Sequence, residues 1–110
     1  MPRLRNHTLH VHPRSAELQI VVKGRIVTEM VPENGVNNAD GTRRVIRNTV
    51  ETFQMTPFYQ GSVHTQFNPD CDDAVFVASF GNEDFGTGSP PTSQTESACW
   101  PDGDDPLGSL

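Results

Sequence analysis

Three histidines and a glutamate carry the chemistry available to this chain: His10, His12, Glu17 and, much further along, His64. In a β-strand successive side chains alternate faces, so His10 and His12 point the same way. Pro13 then interrupts the ladder, because it lacks an N–H, and the chain bends before Glu17. Three imidazoles and one carboxylate would fill four positions of a six-coordinate site suited to Mn or Fe; Ni, Zn or Cu also remain open. Two positions would stay free, which is what separates a catalytic metal from a purely structural one.

The elements that must position these residues read as strands. An apolar, β-branched run, Leu18-Gln19-Ile20-Val21-Val22, follows the glutamate and ends at Lys23-Gly24. Residues 17–31 read as a hairpin with Lys23-Gly24 at its turn and Ile26-Val27 beginning the return strand. Pro32 to Gly41 is turn-rich, and 43–50 is a third candidate strand. Phe53, Met55 and Pro57 alternate towards Gly61, and 62–67 resumes a strand that carries His64. Residues 74–80 are apolar enough to be buried on both faces. No sustained helical period appears, so the sequence predicts an all-β fold. From Thr87 onward Pro, Gly, Ser and acidic residues dominate, and 87–110 reads as a disordered tail.

Bulk properties narrow the classes. A chain of 110 residues supports one small domain at most. No stretch approaches the ~18 apolar residues of a membrane span, and no apolar signal-peptide core follows Met1. The net charge is −6, and all eight Lys and Arg precede residue 48. Those basic residues are scattered without interleaved aromatics, which argues against nucleic acid as a partner. The two cysteines, Cys71 and Cys99, can pair in an oxidising compartment or stand as two thiols.

The spacing around the histidines resembles the germin-like cupins. That family's first motif is His-x-His, four residues, Glu, six residues, Gly; His10, His12, Glu17 and Gly24 match it position for position. In the second motif, Pro-x-Gly, two residues, His, three residues, Asn, the residues Gly61, His64 and Asn68 match, with Tyr59 where Pro is usual. Asn68-Pro69-Asp70-Cys71 followed by 74–80 looks most like the fungal and slime-mould spherulin-type branch. The resemblance implies a cupin barrel (a double-stranded β-helix, or jelly roll) over residues 9–86. It implies Mn(II) held by His10, His12, Glu17 and His64. Asn68, four residues after His64 and on the same face of a regular strand, is a pocket-lining candidate, and the apolar Phe53 and Phe67 are two more. The resemblance also implies secretion, although read literally the chain has no leader.

Departures from the family pattern shape the remaining expectations. Leu4, His7 and Leu9 stand where family members commonly have Gly, Asn and Pro. Residues 1–8 therefore read as an atypical segment, and the barrel as incomplete on its N-terminal side. Exposed strand edges would then favour a homo-oligomer. The resemblance implies a metal-dependent oxidoreductase acting on a small carboxylate, as in oxalate oxidation, or on superoxide. The other readings are a secreted wall or spore-coat protein stabilised by metal, and a truncated gene product without function.

Overall fold

In the computed structural model, residues 6–89 are described, with side chains from Leu9 onward. Seven strands, and no helix among the described residues, build the domain: β1 (Asn6–His10), β2 (Glu17–Lys23), β3 (Ile26–Val31), β4 (Ile46–Val50), β5 (Met55–Phe58), β6 (Val63–Phe67) and β7 (Val75–Phe80). They form two antiparallel sheets, one in the order β1-β6-β3-β4 and the other β5-β2-β7. Among the described residues no helix is long and apolar enough to cross a membrane. The all-β cupin barrel expected from the sequence is the fold observed.

Strand alternation divides the interior into layers. On β2, Glu17, Gln19 and Val21 point inward, and Leu18 and Val22 point out. At one end Val21, Ile26 and Val50 make an apolar plug, with Ala74 and Phe76 packed against it. Next come buried polar side chains, Gln19, Gln66 and Thr28. The far end holds His10, His12, Glu17 and His64, all buried.

Two expectations about the strands need correction. Residues 17–31 are not a hydrogen-bonded hairpin: β2 and β3 lie in different sheets. Both edges of β2 are already taken, by β5 on one side and β7 on the other, so β3 has no ladder to join there. The turn between them carries the chain from sheet to sheet through Gly24, whose φ is +73°. A Cβ at Gly24 would sit 3.2 Å from the Asp73 carbonyl oxygen and from the Ala74 side chain, so glycine also makes room for the start of β7. Nor is β7 buried on both faces. It edges a three-stranded sheet, and its outward residues Val75 and Val77 are about half exposed, beside an exposed Leu18 and Met55.

Pairing also extends past the boundaries read from the sequence. β1 begins at Asn6 and pairs with β6, and Val11 bridges Gly88 through two backbone hydrogen bonds of 2.7 and 2.9 Å. Three arginines are engaged by acids: Arg25 with both carboxylate oxygens of Asp70, Arg47 with Glu29, and Arg14 with Asp84.

Candidate metal centre

Each member of the cluster arrives by a different route. His10 ends β1 and lies directly across from His64 on β6, with Met30 of β3 on the other side of His64. His12 follows the Val11–Gly88 bridge, which keeps the strand alternation going for two residues beyond β1. Glu17 is the first residue of β2, flanked by Phe58 of β5 and Phe80 of β7. The turn between His12 and Glu17 is tied down by the Ser15 hydroxyl, which accepts from the Gly81 N–H at 2.8 Å and donates to the Ala16 carbonyl at 2.6 Å.

The result is a convergent donor set. One ligand atom from each of His10, His12, Glu17 and His64 lies within 4.8 Å of all the others. His12 Nε2 is 3.1 Å from Glu17 Oε1, and His64 Nε2 is 3.9 Å from the same oxygen. Second contacts fix the tautomers. His12 Nδ1 lies 2.7 Å from the Gly86 carbonyl and His64 Nδ1 lies 3.1 Å from the Ser62 carbonyl. A carbonyl only accepts, so both Nδ1 atoms carry hydrogen and both Nε2 atoms are left to face Glu17. With those Nε2 atoms unprotonated and the carboxylate ionised, this donor set fits a divalent metal.

Burial adjusts the carboxylate. Desolvation pushes the Glu17 carboxyl above its ordinary value, partly offset by the positive charge that His12 and His10 can carry and by hydrogen bonds from His12 and Gln66. Aromatic rings wall the cluster. Phe58 stacks on His64 with centroids 4.3 Å apart and planes 17° apart. Phe80 and Phe85 stack on each other at 3.9 Å and both meet His12 edge-on, at 4.8 and 5.0 Å.

The three pocket-lining candidates lie elsewhere. Phe53 is 77% exposed in the turn before β5, and its groove of about 500 Å³, lined by 48–50 and 53–56, includes no cluster residue. Its φ of +65° places it in the left-handed region, uncommon for a residue with a side chain. Phe67 falls on the opposite face of β6 from His64 and Gln66, under the Arg47 guanidinium at 5.6 Å. Asn68 lies past the end of β6 and orders the following turn, donating to the Asp72 carbonyl at 2.7 Å and accepting from the Asp70 N–H at 3.0 Å. Cys71 is not a free cysteine, and Cys99, with which the sequence left pairing open, lies outside the described residues.

Other contributors carry weaker signals in the sequence. Phe58 and Phe80 close apolar segments and look there like any core residue, and Ser62 acts through its backbone carbonyl, which no side-chain pattern reveals. Gln66 could have been found by alternation, since it stands two residues beyond His64 on the same face. Phe85 and Gly86 carry no local signal, because they reach His12 only through the return of the chain after β7. Gly86 has φ +70°, and a Cβ there would lie 2.7 Å from Arg14 Nη2, so this carbonyl approach depends on glycine.

Comparison with known proteins follows the same lines. A family model described as Cupin matches residues 6–99. Spherulin-1A of Physarum polycephalum is 35% identical over 77 residues, which cover 70% of this chain and 28% of that protein. Germin-like protein 9-1 of Oryza sativa subsp. japonica is 33% identical over 96 residues, covering 87% of this chain and 35% of its own. A solved oxalate oxidase structure superposes with a TM-score of 0.67 at 24% identity, over 78% of this chain and 40% of that one. The chain thus spans between 28% and 36% of the length of the curated relatives it matches.

Proposed function

This chain belongs to the cupin family, and we propose that it is a manganese-binding germin-like protein whose metal is held by His10, His12, Glu17 and His64. The observation that carries this reading is the convergence of four buried donor atoms within 4.8 Å. When bound, Mn(II) would supply Lewis acidity and a one-electron couple for oxidising a small carboxylate such as oxalate or for dismuting superoxide. The chain's own residues do the rest. Gly86 and Ser62 hold two imidazoles in the ligating tautomer. Phe58, Phe80 and Phe85 exclude water from the donors, which strengthens every charge interaction among them. A small anion or an oxygen species would be the partner at the metal. Secretion belongs to the same reading and rests on the similarity to spherulins and germin-like proteins.

The test is oxygen uptake with oxalate and superoxide removal by the Mn-loaded protein, alongside Glu17→Ala. Activity lost in Glu17→Ala with the fold retained supports an enzyme.

One observation favours a second reading, a wall or coat protein in which the metal stabilises the fold. Glu17 belongs to one sheet and His64 to the other, so a shared metal would staple the two sheets together. Under that reading Glu17→Ala unfolds the protein, and neither assay turns over.

A further inference from the structure

Next to the cluster lies a buried amide pair that a hydrophobic core has no use for. Gln66, on β6, directs both of its amide hydrogens across to β2: Nε2 is 3.1 Å from Glu17 Oε2 and 2.8 Å from Gln19 Oε1. All three side chains are buried, Gln19 completely. We propose that Gln19 is a positioning residue for the metal centre, acting through Gln66 on Glu17. The inference rests on the metal-binding reading above.

A primary amide is nearly symmetric in shape, so Gln66 fits its space equally well turned over, but its oxygen would then face the Glu17 carboxylate, which only accepts when ionised. Glu17 thus sets the sense of the amide. Gln19, whose own amide turns to match, presents its oxygen as the second acceptor two residues along the same face of β2, and with both hydrogens engaged Gln66 is held in place against Glu17 Oε2. Held at Oε2, the carboxylate offers Oε1 to His12 and His64, at 3.1 and 3.9 Å. Partners of this kind set the orientation of metal ligands and the affinity of the site.

The arrangement leaves two polar atoms exposed to a cost. Gln19 Nε2 and Gln66 Oε1 have no hydrogen-bond partner among the described residues, although both are buried. A half-satisfied buried amide lowers stability relative to an apolar side chain of similar size. Val21, next inward on the same strand, shows what the fold itself accepts there. An amide at position 19 weakens the metal-free fold, and its acceptor serves the metal ligand's partner.

The experiment measures Mn(II) affinity by titration calorimetry at one fixed pH, and metal-free thermal midpoints, for wild type, Gln19→Leu, Gln19→Met, Gln66→Met and the double variant Gln19→Leu/Gln66→Met. The account expects Gln19→Leu to melt at or above the wild-type midpoint while its Kd for Mn(II) rises about tenfold. It also expects the double variant to bind no more weakly than Gln66→Met alone, because Gln19 acts only through that amide. Unchanged affinity in Gln19→Leu, or losses that simply add in the double variant, would overturn the proposal. So would collapse of the fold in both Gln19 variants, which would make the residue a structural one. Failure of the wild type to bind Mn(II) is a separate result: it defeats the metal reading itself, and this inference with it.

Discussion

The ring of Phe58 lies flat against the imidazole of His64, centroids 4.3 Å apart, joining the β5-β2-β7 sheet to the β1-β6-β3-β4 sheet at the cluster. Core packing and site construction are thus one contact, since the ring that fills the space beneath His64 also sets the plane of that imidazole. Phe58→Ala is expected to cost about 3–5 kcal/mol of stability, as for other buried aromatic truncations. It should also weaken Mn(II) binding, because His64 is then free to rotate. Urea denaturation and calorimetric titration check the two effects, and Phe58→Leu should lose less of both.

Gly86 supplies the carbonyl that holds His12, at a φ of +70° that an L side chain rarely adopts. In Gly86→Ala the Arg14 guanidinium can swing aside, but the strained backbone and the Pro13 ring, 3.1 Å from the new Cβ, shift the carbonyl off His12 Nδ1. Mn(II) affinity should fall by roughly 10–100-fold, the usual range for a lost second contact to a ligand. Gly35→Ala is the control. Its φ is +88° but nothing lies within 4 Å, so it should carry backbone strain and leave affinity unchanged.

Glu17 ties stability to pH in opposite senses with and without metal. Burial raises its carboxyl pKa above 4.5, so the metal-free fold favours the protonated acid. That contribution is complete below the unfolded value and is lost as pH rises through the folded one. Metal binding needs the ionised form, so the Mn-loaded protein responds the other way. The gap in thermal midpoint between Mn-loaded and chelator-treated protein should therefore widen from about pH 5 to about pH 7. His10, His12 and His64 face the same carboxylate, so Glu17→Gln is the reference: its chelator-treated form should lack the part of the decline that belongs to Glu17. A gap that is constant over this range would contradict the assignment.

Asn68 should behave as a turn residue and not as part of the site. Asn68→Ala removes the contacts to the Asp72 carbonyl and the Asp70 N–H, each worth roughly 1 kcal/mol. Stability in urea should drop accordingly while Mn(II) affinity stays at the wild-type value. A comparable loss of affinity would place Asn68 at the centre after all.

Local chemistry made much of this legible in the sequence. The His10-Val11-His12 alternation and the break at Pro13 depend only on strand geometry, and the structure brings both histidines to one buried point with Glu17 and His64. Five of the strands also fall within the segments read as extended. What the sequence could not carry was the choice of sheet partner. Leu18 to Val31 reads identically whether β3 folds back on β2 or crosses to the other sheet, and that choice is made by β5 and β7 occupying both edges of β2. The same limit explains Phe53 and Phe67. Their apolar character suggested a pocket wall, but Phe53 lies exposed in the turn before β5 and strand parity puts Phe67 on the face of β6 opposite His64. Phe85 and Gly86 reach His12 only after the chain has returned past β7.

The central claim is that this chain holds one metal ion through His10, His12, Glu17 and His64. The most direct test is metal content per chain, by plasma mass spectrometry, on gel-filtered protein produced with manganese, alongside His64→Ala prepared in the same way. The account predicts about one Mn per chain in the wild type and a small fraction of that in His64→Ala, with both proteins folded. A folded wild type carrying no metal, or the same content in His64→Ala, would contradict it.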